Sequence, residues 1–171
     1  IEGVKLVTST VYEDERGYLM ETYSFPPFEE EDISDYMVHD YYSVSEKNVL
    51  RGLHIQVDPA AQAKLIQCLE GKIYDVVVDL REKSDSYGEY RSIILSEGDN
   101  QALYIPEGFA HGYLSLKRSS VYTKTTHPHN PNFERGIHWN APEIEVDWPI
   151  EGDPIVSEKD KSLPTLSEFE N

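Results

Sequence analysis

Three short stretches of the chain hold side chains that could move a proton or grip an anion. The first is Arg51-Gly-Leu-His-Ile-Gln56. If it is a strand, His54 and Gln56 share a face. Gly52 permits a bend or the close approach of a ligand, and Arg51 carries the forked donors that suit a phosphate. Lys64 follows ten residues after His54. In the second stretch, Tyr104 to Gly112, Pro106 and Gly108 shape a turn that delivers His111 to the next strand. The third is Ser157-Glu-Lys-Asp160, with a cation and a carboxylate side by side. A histidine titrates near working pH and suits a general base. A lone histidine in a barrel is more often structural than catalytic. His54 stands apart because Arg51, Gln56 and Lys64 accompany it, and polar groups on an inward face are costly unless paired or used. A cavity lined by His, Lys, Arg and Tyr suits a small molecule.

Something must position these residues. Turn signals punctuate the middle of the chain at Glu70-Gly71, 84–88, 96–100, 106–108 and 117–119. Between them lie short runs rich in Val, Ile, Leu and Tyr, at 65–69, 73–80, 90–95, 101–105, 112–116 and 121–125. This spacing predicts an antiparallel β-sandwich or barrel, not alternating βαβ units. Residues 5–11 and 18–23 add strands on either side of a turn at 13–17. Residues 26–35 carry Pro at the start and acidic side chains in the first turns, which predicts a short helix. From Asn140 onward four prolines predict a loop-rich tail that wraps the barrel, with a turn of helix near 157–162. At 171 residues the chain reads as one domain, 1–171, and with 39% hydrophobic and 11% aromatic residues it can bury a core.

Charge and cysteine content exclude whole classes. Fifteen Lys and Arg against 32 Asp and Glu leave a net charge of −17, which argues against non-specific nucleic-acid binding and against an anionic membrane surface. A local basic pocket for a small anion is compatible with it. One cysteine, Cys68, rules out an internal disulfide and a Cys-rich zinc site. Its apolar run reads as a buried, inert thiol. No run approaches the roughly eighteen apolar residues of a membrane span. No signal-peptide pattern is seen, so a cytoplasmic location is expected. The segment Pro106-x-Gly-x-x-His111 resembles the second motif of cupin barrels. In metal-binding cupins the first motif supplies two histidines and a carboxylate. Here Gln56 takes the second histidine position, and Gln is a weak ligand for a transition metal, so no metal is expected.

One ordered set of motifs runs through the chain: Arg51 to Gln56, Gln62-Ala-Lys64, Asp75-Val-Val-Val-Asp79-Leu-Arg81, Ile105 to Gly112, Gly136-Ile-His-Trp139, Trp148-Pro and Ser157 to Asp160. Together they resemble the dTDP-4-dehydrorhamnose 3,5-epimerase family, from about Glu13 to Leu163. The resemblance implies a cupin-type jelly-roll and a homodimer whose N-terminal strands cross between subunits. It also implies a nucleotide-linked 4-keto-6-deoxyhexose as substrate, with no metal and no redox cofactor. It makes His54 the base and Asp160 the carboxylate that orients it, with Asp79 ranked second for that task. Lys64 would stabilise an enolate oxygen, and His111 would bond the sugar or serve structurally. Gln56 belongs to the same substrate-contacting motif. Arg16, in Asp14-Glu-Arg-Gly, and Arg51 resemble the diphosphate contacts, with Lys159 beside them.

One position departs from the family. A tyrosine that acts as the opposite-face acid should precede an x-Pro dipeptide after the strand ending near Thr125. His129 stands there, and no tyrosine follows Tyr122. Three readings follow: His129, with His127 nearby, serves as the acid; one of two inversions has been lost; or water supplies the proton to a site with a loop histidine. Beyond epimerisation, a sugar-nucleotide ketoisomerase, a non-catalytic sugar-nucleotide-binding cupin and a metal-dependent cupin enzyme compete for the same residues.

Overall fold

The computed structural model describes residues 1–24, 33 and 36–170. Two antiparallel five-stranded sheets face each other. In chain order the strands are β1 (Lys5–Thr8), β2 (Val11–Asp14), β3 (Gly17–Met20), β4 (His39–Ser45), β5 (Leu50–Gln56), β6 (Lys64–Glu70), β7 (Lys72–Asp79), β8 (Tyr90–Ser96), β9 (Gln101–Ile105), β10 (Phe109–Ser115), β11 (Ser119–Thr125) and β12 (Glu134–Gly136). The first sheet runs β1-β9-β6-β11-β4 and the second β12-β5-β10-β7-β8, while β2 and β3 pair only with each other. This is the jelly-roll arrangement expected of the sequence. The run at 5–11 divides into β1 and β2, the run at 112–116 begins earlier as β10, and β4 and β12 are strands that the apolar pattern did not mark. The helix expected at 26–35 falls almost wholly outside the described residues.

The sheets hold because side chains alternate across each strand. Along β7, Val77 points between the sheets with Ile66, Cys68, Phe109 and Val121. Val76 and Val78 point outward, where they meet Ile137, Ile144 and Trp148 from the C-terminal tail. Both faces of the second sheet are therefore covered, and the tail wraps the barrel as its prolines suggest. Cys68 is buried in the inner layer, and burial pushes its thiol up to about 11. That keeps it protonated and inert.

The tail also builds the site. Ile155 forms a parallel bridge with Val49, and its backbone exchanges hydrogen bonds with Asn48 and Leu50. Ser157 then caps a one-turn helix, α1 (Glu158–Lys161), by accepting from the Asp160 amide at 3.1 Å. The 155 backbone bonds and the cap fix where Asp160 lies.

Candidate active site

His54 and His111 face each other as register partners on β5 and β10. Two residues further along β10, Tyr113 pairs with Arg51, three residues back along β5. The extra residue on β5 reverses its alternation beyond the bulge. Arg51, which a regular strand would send to the opposite face from His54, lines the same cavity. Gly52 makes the bulge possible. Its φ is +120°, and a Cβ there would lie 2.6 Å from Gly112 Cα and 2.8 Å from the His111 carbonyl oxygen.

The cavity between β4, β11 and β6 on one wall and β5 and β10 on the other has a volume of about 600 Å³. His54, Lys64, His111, Arg51, Gln56, His129, Lys159 and Asp160 all line it. His54 Nε2 lies 2.8 Å from Asp160 Oδ1. Asp160 Oδ2 accepts from the Gly52 amide at 3.1 Å. Burial works to raise the Asp160 carboxyl, but the bonds from His54, Gly52 and Ser157 outweigh it and hold the group below its ordinary value. With Nε2 so engaged, His54 Nδ1 is the nitrogen left to take a proton. Lys64, almost wholly buried, donates to the His54 carbonyl at 3.1 Å. Burial pulls its ammonium down to about 8, against the partial support of Glu134 and Asp75.

Behind His111 stands a residue that the sequence reading passed over. Asp75 is fully buried and meets His111 Nε2 at 2.9 and 3.0 Å through its two oxygens. A carboxylate inside a run of valines had to be paired, and that was the signal available for it. Asp79, ranked second to Asp160 as an orienting group, has another task. It accepts from Arg81, Ser84 and Ser86 and closes the turn after β7. Glu134 was also missed. Its Oε2 receives Lys159 Nζ at 2.5 Å and His129 Nε2 at 3.1 Å. Burial works against its charge, and those two bonds prevail to hold its carboxyl low.

Two expected substrate contacts lie differently. Gln56 is buried in the cavity wall and its amide is committed to backbone: Nε2 donates to Ala60 and Pro128, and Oε1 accepts from the Asn130 amide at 2.6 Å. It anchors the loop that carries His129. Arg16 lies outside the cavity, at the tip of the β2–β3 hairpin, ion-paired with Asp14 and open to solvent. Among the described residues, no group of three or more His, Cys, Asp or Glu side chains is placed to hold a metal ion.

Facing sheets around a polar cavity, with histidine–carboxylate pairs on one wall and a buried ammonium on the other, define a cupin-type jelly-roll with an acid–base site. The family model for dTDP-4-dehydrorhamnose 3,5-epimerase matches residues 1–168. The chain belongs to that family. A dTDP-4-dehydrorhamnose 3,5-epimerase of Methanothermobacter thermautotrophicus is 42% identical over 98% of this chain and 92% of its own length. A dTDP-6-deoxy-D-glucose-3,5-epimerase of Legionella pneumophila, solved in complex with dTDP-4-keto-L-rhamnose, superimposes with a TM-score of 0.95 at 35% identity, covering 99% of this chain and 91% of that one. A 3'-monoepimerase of Streptomyces bikiniensis, solved with dTDP-quinovose, superimposes at 0.91 with 27% identity, over 98% and 85% of the two chains.

Proposed function

We propose that the chain is an epimerase of a nucleotide-linked 4-keto-6-deoxyhexose of the dTDP-4-dehydro-6-deoxyglucose type. It inverts C3, C5 or both, in dTDP-L-rhamnose or related deoxysugar synthesis. The observation that carries this is the His54–Asp160 pair at 2.8 Å, with the Lys64 ammonium donating to the carbonyl of His54 itself. A C4 ketone acidifies the hydrogens on its neighbouring carbons. His54 removes one, Asp160 stabilises the imidazolium formed, and Lys64 offsets the charge on the enolate oxygen. His111, oriented by Asp75, serves as a sugar contact. Sequence position nominates His129 to return the proton on the other face. Arg51 and Lys159 at the mouth hold the diphosphate. Substrate and product share one oxidation level, so the reaction asks for no redox cofactor. Incubation with dTDP-4-keto-6-deoxyglucose in heavy water tests the reading: deuterium should enter at C3, C5 or both. The reading fails if neither carbon takes up label, and a carbonyl moved along the ring would make the chain a ketoisomerase.

The same reading sets a pH dependence. Lys64 works as a cation, and burial brings its pKa to about 8. Turnover should fall as pH rises through about 8, and that limb should vanish in Lys64→Arg, whose guanidinium stays charged. Stability moves the other way. Above about 8 the folded chain has released the Lys64 proton while the unfolded chain still holds its own, so unfolding becomes harder as pH rises toward the ordinary lysine value. A thermal melt that drops across this window, together with a flat rate profile, would refute the assignment.

The reading also includes a homodimer and a cytoplasmic location. The β2–β3 hairpin joins neither sheet and exposes Tyr12, Tyr18 and Leu19, each more than 60% open to solvent. A second copy covering these side chains would receive Arg16 at its own cavity. Sedimentation should then show a dimer, and Arg16→Ala should raise KM about tenfold or more. A monomer with unchanged KM in that variant contradicts it. No helix among the described residues is long and apolar enough to cross a membrane.

A further inference from the structure

Inversion at carbon requires a proton to return on the face opposite the one it left. The base, His54, stands on β5 of the second sheet with Asp160 behind it. His129 is held toward that same side. Its ring bonds Glu134, which lies on β12, the strand next to β5, directly opposite Gln56 and near enough to His54 to feel its charge. More than half of the His129 side chain is open to solvent.

The facing wall belongs to the first sheet, and there one phenol reaches the cavity. Tyr41, on β4, lines it opposite the base. Its register partner on β11 is Thr123, which bonds its hydroxyl, and the next same-face residue of β11, Thr125, is the partner of Lys64. Tyr41 and Lys64 therefore share one inner surface. The other cavity phenol, Tyr113, is bound by Ser43 at 2.8 Å and Ser45 at 3.1 Å and stands on the same sheet as His54.

We propose that Tyr41, on the wall facing His54, is the acid that protonates the enolate on the face opposite the base. The assignment rests on the epimerase reading. The Tyr41 O–H bond breaks and a C–H bond forms at the carbon that His54 deprotonated. The enolate C–O closes to the ketone. The phenolate regains a proton from water through its half-exposed edge, and the His54 imidazolium releases its own to water. Burial raises the Tyr41 hydroxyl above its ordinary value, so the group rests in the protonated state the step requires.

The test separates exchange from inversion. The wild type and Tyr41→Phe are incubated with dTDP-4-keto-6-deoxyglucose in heavy water, and both label and epimer are followed by NMR. In Tyr41→Phe, deuterium should still enter recovered substrate within about threefold of the wild-type rate, because His54 can return the proton on its own face. Epimer formation should fall about 100-fold or more. Loss of a merely structural tyrosine would lower both together. Tyr41→Phe that inverts normally overturns the assignment and leaves the epimerase reading standing, as does the exchange-without-inversion pattern appearing in His129→Asn instead. A wild type that neither exchanges nor inverts overturns both.

Discussion

Replacing His54 with Asn is expected to lower solvent exchange at the sugar carbons by about 10³- to 10⁴-fold, at the upper end of what a positioned general base contributes. The other basic groups of the cavity cannot stand in for it. Lys64 is directed at the His54 carbonyl. His111 forms a like pair with Asp75 but lies deeper, its side chain 10% exposed against 29% for His54. The variant should fold, since the side chain is partly exposed and its chain neighbours, Leu53 and Ile55, pack on the opposite face in the tail-covered layer. A melting temperature near that of the wild type, with label incorporation reduced to background, is the expected pair of results. Label entering at more than about a tenth of the wild-type rate would place the base elsewhere.

Asp160→Asn is the second large effect, and it has two consequences. The side chain keeps its volume, but an amide presented to His54 favours the wrong tautomer and no longer stabilises an imidazolium. Exchange should fall about 10²- to 10⁴-fold. The carboxylate also accepts from the Gly52 amide, so the substitution loosens the hold of α1 on the β5 bulge. Because the native Asp160 carboxyl is held below its ordinary value, it contributes stability above the unfolded carboxylate pKa, and that stability is lost as pH falls through the lower, folded value. Acid titration followed by tail fluorescence at Trp139 and Trp148 should show an acid transition in the wild type that is weakened in Asp160→Asn. Identical acid profiles with full activity would refute the role.

The barrel was legible because its strands are short, apolar and bounded by turn residues. Where those cues weaken, the reading weakened too. β4 carries Tyr, Ser and Asp at an exposed sheet edge, so Val44 alone offers little apolar alternation. The site was legible as a set of residue types, but its pairings were not. Nothing local ties Asp160 to His54, which lies 106 residues away, and only the family resemblance joined them. Asp75 and Asp79 lie four residues apart on one strand and are equally buried, and only their partners, which periodicity does not report, separate their tasks. The bulge at Gly52 defeats simple alternation, which would have sent Arg51 to the other face. Gln56 was identified by its motif, and only the structure shows its amide bonded to the 128–130 loop.

The position of Asp160 bears on the order in which the molecule comes together. Every strand of both sheets precedes it in the chain, and ribosomal synthesis runs from the N-terminus. The barrel can close, and its inner layer can pack, while His54 still lacks its carboxylate. The His54–Asp160 pair belongs to the last segment laid over the finished sheets, anchored by one parallel bridge, a one-turn helix, the Gly52 bond, the Lys159–Glu134 ion pair and the Asn48 bonds to the 151 and 153 carbonyls. Foldedness and catalytic competence are thus separate events in this chain. A local opening confined to this segment would silence the base without unmaking the barrel.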